Sequence, residues 1–263
     1  ASFLVFGLTL CGIYALVGLG YTMVYGVLRM INFAHGDVFT AGCFGGYLVA
    51  VFVPGVDSLL GVLMLIAVGG ATSALIAVVV ERYAYRPFRG SRALAPLICA
   101  IGVSFILQYS IRGLFGTGSR AYPDIPWLDL RLTFGIFEVP TVQLFVIVAA
   151  LATMCGLHAL VNHTRFGTAM RAISEDADTA TLMGIDVNRV ITLTFLIGGA
   201  MAGIGGVLYA MVFKQIHAFM GFTLGIKGFA AAVLGGIGNI PGAMVGGLVI
   251  GVLESFGPAA LLS

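Results

Sequence analysis

Long apolar runs separated by short polar segments dominate this chain. Runs of spanning length occupy residues 3–28, 38–53, 58–80, 93–111, 140–161, 190–213 and 222–254. A helix needs about 20 apolar residues to cross a bilayer, so each run predicts a membrane helix, and the short second run predicts a half-helix unless it extends into its neighbours. The pattern predicts a single all-α domain, a polytopic helical membrane protein with about seven to eight spans, some broken or re-entrant near the midplane.

Composition supports the same class. Hydrophobic residues make up 60% of the 263 positions and charged residues 9%, and the mean hydropathy is +1.08. Soluble domains carry about 25% charged residues, so this chain could not cover its apolar surface in water. The predicted environment is the lipid bilayer, with no nucleic acid as a partner. The four cysteines lie in apolar runs without CxxC spacing, which predicts small buried side chains.

Lysine and arginine positions predict which loops face the cytoplasm. Residues 81–92 contain four arginines, and counting spans from them places 29–37 and 162–189 on the same, cytoplasmic side. Residues 112–139 and 214–221 then lie outside the membrane.

The external loop 112–139 carries a single tryptophan, Trp127, among several prolines. We expect a solvated connector in which this side chain anchors the loop at the interface. The alternative is a loop that covers a pore mouth or contacts a soluble partner.

The last apolar run is interrupted near its middle. A break in a membrane helix frees backbone amides and carbonyls that lipid cannot satisfy, so the broken part must face protein or water. We therefore predict that this stretch borders a substrate path. The candidate path residues here are Lys227, Gly235, Gly236, Gly238, Asn239 and Pro241, with Gly242 closing the break.

A second polar interruption, residues 29–37, adds Asn32, His35 and Asp37 to the candidate path. It is either a segment that dips into the membrane or an ordinary short cytoplasmic turn. If it dips, we expect it to pair with the 235–242 break, because two broken elements in opposite halves typically mark a transport site at a repeat interface. We expect Asp37 to cap the helix that follows.

The cytoplasmic segment 162–189 predicts a short helix between two spans. We expect Ser174 to cap a helix that begins at Glu175 and ends at Gly184. Small and apolar side chains then share one face, which is typical of a helix that docks into a groove of another protein. The alternative is a surface helix lying on its own membrane domain. The residues of that face are Ala177, Ala180, Met183 and Gly184.

Glycines recur four positions apart in several runs, which predicts close helix packing, either within the chain or against a second membrane subunit. These pairs are Gly42 and Gly46, Gly199 and Gly203, Gly242 and Gly246, and Gly247 and Gly251. Motifs for chemistry are missing: the four histidines lack zinc-site spacing, and GxxxxGK[ST] does not occur. We therefore predict no catalytic residues, no metal site and no enzyme activity in this chain.

Three stretches of the chain resemble one family. They are GIYALVGLGYTMVYGVLRMINFAHGDVF (12–39), RFGTAMRAISEDADTATLMGIDVNRVITLTFLIGGAMAGIGGVLYA (165–210) and GFTLGIKGFAAAVLGGIGNIPGAMVGG (221–247), supported by ERYAYRPFRGS (81–91). In order and spacing they resemble the LivH-type permease of bacterial branched-chain amino acid ABC importers.

The resemblance implies a subunit of the bacterial inner membrane that pairs with a LivM-type second permease. Two cytoplasmic ATPase subunits would bind ATP and magnesium, so this chain itself would need no cofactor, and a periplasmic binding protein would deliver the substrate. By the same resemblance, residues 165–189 form the coupling loop, with Ala177 to Met183 as its docking helix. Arg171, Glu175, Asp176 and Gly184 match its pattern.

The leading hypothesis is an ABC importer permease that translocates branched-chain or other small neutral amino acids by alternating access. The alternative is a secondary carrier or channel for small polar solutes, including urea and amides, that works without ATP. The small number of ionisable residues near membrane depth disfavours an ion-coupled carrier. A scaffold without transport activity would have no need for two helix breaks.

Overall fold

Ten α-helices make up most of the described part of the chain. The computed structural model describes residues 2–89, 91, 94–134 and 137–261. The helices are α1 (Ser2–Leu28), α2 (His35–Phe52), α3 (Leu59–Val80), α4 (Leu94–Phe115), α5 (Thr141–His163), α6 (Arg165–Glu175), α7 (Ala177–Leu182), α8 (Val187–Phe213), α9 (Met220–Leu234) and α10 (Ile240–Leu261). A π-helical turn, Glu81–Tyr85, and a 3-10 turn, Arg86–Phe88, extend α3.

The expected polytopic helical fold is confirmed. Within the described residues, six helices are long and apolar enough to cross a membrane: α1, α3 with its extension, α4, α5, α8 and α10. α2, with 18 residues, and α9, with 15, are not among these spans, and we call them the half-helices of the bundle.

The bundle has two ends that differ in chemistry. We call the end that holds residues 81–89 with α6 and α7 the arginine-rich end, and the end that holds residues 116–140 the loop end. Arg89 Nη1 donates to Asn188 Oδ1 over 2.5 Å and joins 81–89 to the start of α8 at the arginine-rich end. Lys214, just after α8, forms ion pairs with Asp124 and Asp129 at the loop end.

Two halves of the chain repeat the same sequence of elements. α1 and α8 each contain 27 residues and are followed by a residue with left-handed backbone geometry, Arg29 with φ 51° and Lys214 with φ 57°. The separation in the chain between Arg29 and Lys214 is the same as between Gly36 and Gly221. Because α1 ends at the arginine-rich end and α8 at the loop end, the two units run in opposite directions. This is an inverted-topology repeat, an arrangement common in membrane transporters.

The helix α2 begins inside the bundle. Its first residue, His35, packs its ring against Tyr21 with the centroids 4.7 Å apart, and a Cβ on Gly20 would collide with His35 Nε2. Ser104 Oγ, at the middle of α4, donates to Asp37 Oδ2. These contacts favour the re-entrant alternative for residues 29–37 over a turn at the surface. The expected cap by Asp37 is wrong: Ala34 is the N-cap residue, and no side chain caps this helix.

α9 starts beside α2, and the two helix N-termini meet at glycines. A Cβ on Gly36 would collide with the carbonyl oxygen of Gly221, and a Cβ on Gly221 would collide with that of Gly36. Within the repeat, residues 214–219 are therefore equivalent to residues 29–34. Residues 29–37 also approach the 235–242 break, because Ile31 and Ile237 line the same small pocket. That these two interruptions together form a transport site stays a prediction.

The apolar run 222–254 is a helical hairpin and not one broken span. α9 ends at Leu234 and α10 begins at Ile240, because Gly236 and Gly238 adopt positive φ angles of 85° and 94°. Asn239 Oδ1 accepts from the Gly242 amide over 3.2 Å and caps α10. The turn lies at the arginine-rich end, where a Cβ on Gly26 would lie 3.7 Å from the Gly238 Cα.

Most described residues of the loop 112–139 are exposed, as expected for a solvated connector, but three side chains anchor it to the bundle in addition to the expected tryptophan. Its side chains Tyr122, Ile125 and Leu128 are buried, and Trp127 packs edge-to-face against Phe145 of α5. Two antiparallel two-stranded sheets order the loop end. They pair β1 (Arg120–Ala121) with β4 (Gln215–Ile216) and β2 (Arg131–Phe134) with β3 (Phe137–Pro140).

The glycines spaced four apart pack within the chain, as one of the two alternatives predicts. A Cβ on Gly42 would collide with the Gly203 Cα, and one on Gly247 would lie 2.6 Å from the Ala15 Cα. The expectation of buried cysteines holds for Cys11 and Cys43 but is wrong for Cys155, which is exposed on α5; Cys99 is half-buried.

Candidate functional site: a cleft and a docking segment

A cleft of about 680 Å³ opens at the arginine-rich end. The second half of α1, the end of α5, α6 and the turn between α9 and α10 form its walls. The lining combines apolar side chains with hydrogen-bonding groups, as ligand sites for small polar solutes generally do. Its polar members include Thr22, Tyr25, Arg29, His158, Asn162, Arg171, Ser174 and Asn239.

An apolar groove of about 350 Å³ lies further along the same three helices, α1, α5 and α10. Ala15, Met154 and Met244 are among its lining residues, one turn or two beyond the residues that line the cleft. Together the cleft and the groove follow α1 from the arginine-rich end toward the loop end.

The cleft contains some of the predicted path residues. Gly238, Asn239 and Pro241 line it directly. Gly235 and Gly236 belong to the same turn, where Gly235 packs against the Gly242 carbonyl group and supports the hairpin.

Asn32, His35 and Asp37 lie elsewhere, buried at and just before the start of α2, where each contacts a different element. Tyr85 donates its hydroxyl proton to Asn32 Oδ1 over 2.8 Å. Gln108 Nε2 donates to Ser104 Oγ, which in turn donates to Asp37. All three predicted residues are buried, so in this conformation they are core residues and do not line the cleft.

Lys227 forms an ion pair at the middle of the helix bundle. Its Nζ lies 2.5 Å from Glu254 Oε1 of α10, and Tyr14 of α1 donates to Glu254 Oε2 over 2.8 Å. Both charged side chains are about one-third exposed. A charge at this depth carries a high cost in lipid, so such residues pair with each other and face protein or water.

The segment between α5 and α8 folds into two helices. The cap expected at Ser174 is wrong, because Ser174 and Glu175 belong to α6. Asp176 caps α7: its Oδ1 accepts from the amides of Asp178 and Thr179 over 2.9 and 3.1 Å. An aspartate provides two acceptor oxygens at this position, which favours it over a serine inside a continuing helix.

α7 ends at Leu182, and Gly184 follows with φ 83°, as expected for a glycine that terminates a helix. Ala180 is 4% exposed and packs against its own chain, so it does not belong to a docking face. Leu182 and Met183 are 87% and 78% exposed and project away from the protein. Ala177 is also exposed.

The Arg171 side chain forms hydrogen bonds within its own chain. Its Nη1 donates to the carbonyl oxygen of Val161 over 2.5 Å, and its Nη2 to Thr168 Oγ1 over 3.4 Å. The guanidinium group therefore satisfies a carbonyl in the last turn of α5, where the helix leaves such groups unpaired.

Sequence reasoning missed Arg29, Lys214 and Leu182. A signal for the first two was present, because several identical residues recur at the separation that relates Arg29 to Lys214. They are Gly18 and Gly203, Gly20 and Gly205, Val27 and Val212, and Ile31 and Ile216. Comparison of the two halves would have identified the repeat and its two left-handed residues.

The inverted repeat, the half-helices and the cleft are features typical of membrane transport proteins. Residues 3–263 match the family model described as "Branched-chain amino acid transport system / permease component". The chain is 40% identical to the high-affinity branched-chain amino acid transport system permease protein LivH of Salmonella typhimurium, over 97% of this chain and 85% of LivH. It is 42% identical to the corresponding protein BraD of Pseudomonas aeruginosa, with the same coverage of both chains.

A solved structure has a similar fold. It is described as an inward-facing conformation of a putative metal-chelate type ABC transporter, with a TM-score of 0.50 and 19% sequence identity, covering 98% of this chain and 77% of the other. At this identity the similarity concerns the fold alone.

The chain belongs to the branched-chain amino acid transport system permease family. It is a multi-pass integral protein of the bacterial inner membrane and a transport component, not an enzyme.

Proposed function

We propose that this chain is the permease subunit of an ATP-driven importer for branched-chain or other small neutral amino acids. A LivM-type second permease completes the membrane domain, and two cytoplasmic ATPase subunits bind ATP and magnesium. A periplasmic binding protein delivers the substrate. The relatives at 40–42% identity support the substrate class, since their names state branched-chain amino acid transport.

The exposed tip of α7 is the observation that supports ATPase docking most directly. Leu182 and Met183 are two large apolar side chains with 87% and 78% exposure, at the end of the bundle where arginines concentrate. Because positive residues favour the cytoplasmic side, we assign the arginine-rich end to the cytoplasm. Exposed apolar side chains on a short, capped helix fit a groove of a soluble partner.

The cleft supports a conformation that is open to the cytoplasm. It provides hydrogen-bonding side chains such as Asn239 and His158 beside apolar ones such as Met23 and Ile240. A zwitterionic amino acid with an aliphatic side chain needs both kinds of contact. We propose that Gly238, Asn239 and Pro241 border the inner part of the substrate path, and that Lys227 with Glu254 lies beside its deeper part.

Uptake by the reconstituted complex tests this function. Proteoliposomes that contain the complete complex, with ATP inside and the binding protein outside, should accumulate labelled leucine, and unlabelled valine should compete. Competition by urea or acetamide alone would shift the substrate class to amides. Uptake by this chain without ATP would contradict the proposal.

Variants at α7 test docking separately from substrate choice. Leu182→Asp or Met183→Asp should reduce ATP-dependent uptake by more than about tenfold, because a charge would enter an apolar contact. Leu182→Met and Met183→Leu are the matched controls, since each keeps a large apolar side chain at the same exposed position; both should retain uptake. Equal loss in these controls and in the aspartate variants would contradict the docking assignment.

A further inference from the structure

Two residues other than glycine have left-handed backbone geometry among the described parts of the chain: Arg29 and Lys214. Each follows a 27-residue helix directly, and each begins an irregular segment that leads to a half-helix. A residue with a Cβ rarely adopts this geometry, so surrounding contacts must hold it in place. The two residues occupy equivalent positions of the inverted repeat, and both are cations.

Lys214 binds the external loop through its side chain and its backbone. Its Nζ lies 2.8 Å from Asp129 Oδ1 and 3.1 Å from Asp124 Oδ1. Its carbonyl oxygen accepts from the Tyr122 amide over 2.9 Å. The next two residues form β4, which pairs with β1 of the same loop. The loop and the irregular segment 214–219 are therefore joined and are expected to move together.

Arg29 makes the corresponding connection at the arginine-rich end. Its Nη2 donates to the carbonyl oxygen of Ser174 over 2.8 Å. Ser174 lies in the last turn of α6, where carbonyl groups lack helical partners and a cation is favoured. α6 leads directly to α7, the proposed ATPase docking helix. The end of α1 is thereby connected to that segment.

We propose that Arg29 and Lys214 are equivalent positioning residues, one at each end of the repeat. Arg29 transmits displacement of α6 and α7 to residues 29–34, and Lys214 transmits displacement of the external loop to residues 214–219. These two segments lead to α2 and α9, whose N-termini contact each other at Gly36 and Gly221. That the soluble partners are ATPases at the arginine-rich end and a binding protein at the loop end rests on the proposed function.

Hydrogen exchange tests the two connections without reference to transport. In the purified complex, Lys214→Gln should increase amide exchange in 214–219 by about tenfold or more and leave 29–34 unchanged. Arg29→Gln should give the opposite pattern. Lys214→Arg and Arg29→Lys, which keep the positive charge, should restore protection at least in part. The double variant Asp124→Asn, Asp129→Asn should reproduce the effect of Lys214→Gln.

Coupling measurements distinguish transmission from a purely structural role. We expect Lys214→Gln and the double aspartate variant to lower the stimulation of ATP hydrolysis by the binding protein at least fivefold. We expect Arg29→Gln to lower the number of substrate molecules transported per ATP. Increased exchange with normal stimulation and normal stoichiometry would overturn the proposal, as would unchanged exchange. A wild-type complex without ATP hydrolysis would contradict the proposed function and transmission to ATPases with it, whereas the exchange patterns would still test the two connections themselves.

Discussion

Gly36 and Gly221 contact each other through their backbones at the point where α2 and α9 begin. A Cβ on either glycine would collide with the carbonyl oxygen of the other. The contact is reciprocal because the two residues are equivalent in the inverted repeat. It brings two half-helix N-termini together inside the bundle, so it fixes the relative position of the two halves.

We predict that Gly36→Ala and Gly221→Ala destabilise the protein to a similar extent. Overpacking of a well-packed interior typically costs 1–3 kcal/mol, and backbone atoms are less able to move aside than flexible side chains. Thermal unfolding in detergent measures the effect. Gly102→Ala and Gly156→Ala are controls, because a Cβ at either position has open space around it. Equal stability of all four variants would contradict the close backbone contact.

The internal ion pair between Arg89 and Glu81 gives a second prediction. Glu81 is 1% exposed, is bound by Arg89 and accepts from Thr192 Oγ1 over 2.9 Å. Arg89→Ala leaves this carboxylate buried without its cation and should cost about 3–5 kcal/mol of unfolding free energy. Arg131→Ala removes an ion pair whose side chains are 72% and 58% exposed, and should cost about 0–1 kcal/mol. A similar loss in both variants would contradict the assignment of a buried pair.

Thiol labelling tests which interruption borders the cleft. In a background without the four native cysteines, Asn239→Cys should react with a water-soluble maleimide in the state that is open at the arginine-rich end. Asn32→Cys and His35→Cys should be protected in that state, because these positions are 3% and 2% exposed. Fast reaction at His35→Cys together with protection at Asn239→Cys would contradict the position of the cleft.

Asp176 gives a pH-dependent prediction. The Thr179 hydroxyl donates to its Oδ2 over 2.5 Å, and this bond, followed by the Thr179 amide, lowers the pKa of Asp176 below its ordinary value of 3.8. A lowered pKa in the folded state means that the stabilisation of α7 is complete above pH 3.8 and is lost as the pH falls through the lower value.

Carbon-13 NMR of the Asp176 carboxyl group measures this titration directly. The wild-type group should titrate below 3.8, and Thr179→Val should raise its pKa because the variant removes the hydroxyl donor and preserves the shape. A wild-type titration at or above that value would contradict the cap geometry.

Particular residues explain what the sequence could and could not predict. The apolar runs located the long helices because hydrophobic length is read directly from the chain. The equivalence of residues 29–34 and 214–219 was missed, because Gly, Asn and Pro mark 235–242 clearly, whereas Lys214 and the residues after it resemble an ordinary polar turn. The equivalence of Arg29 and Lys214 can be recognised only when the two halves of the chain are compared and the backbone angles are known.

The docking segment was predicted in position but not in detail. Gly184 was recognised because glycine commonly ends helices. Of the predicted face, Ala177, Met183 and Gly184 are exposed. The short α7 turns Ala180 toward its own chain and Leu182 toward solvent. Composition alone does not give the orientation of a helix shorter than two turns. Met183 was therefore predicted from the sequence, whereas Leu182 is defined only by the fold.

Capture of this chain from native membranes tests the central claim most directly. Mass spectrometry of the wild-type complex should identify two ATPase subunits and a second permease. The Leu182→Asp, Met183→Asp double variant should retain the second permease and lose the ATPases. Recovery of the chain without any ATPase, together with transport in proteoliposomes that contain no ATP, would contradict the account of an ATP-driven importer subunit.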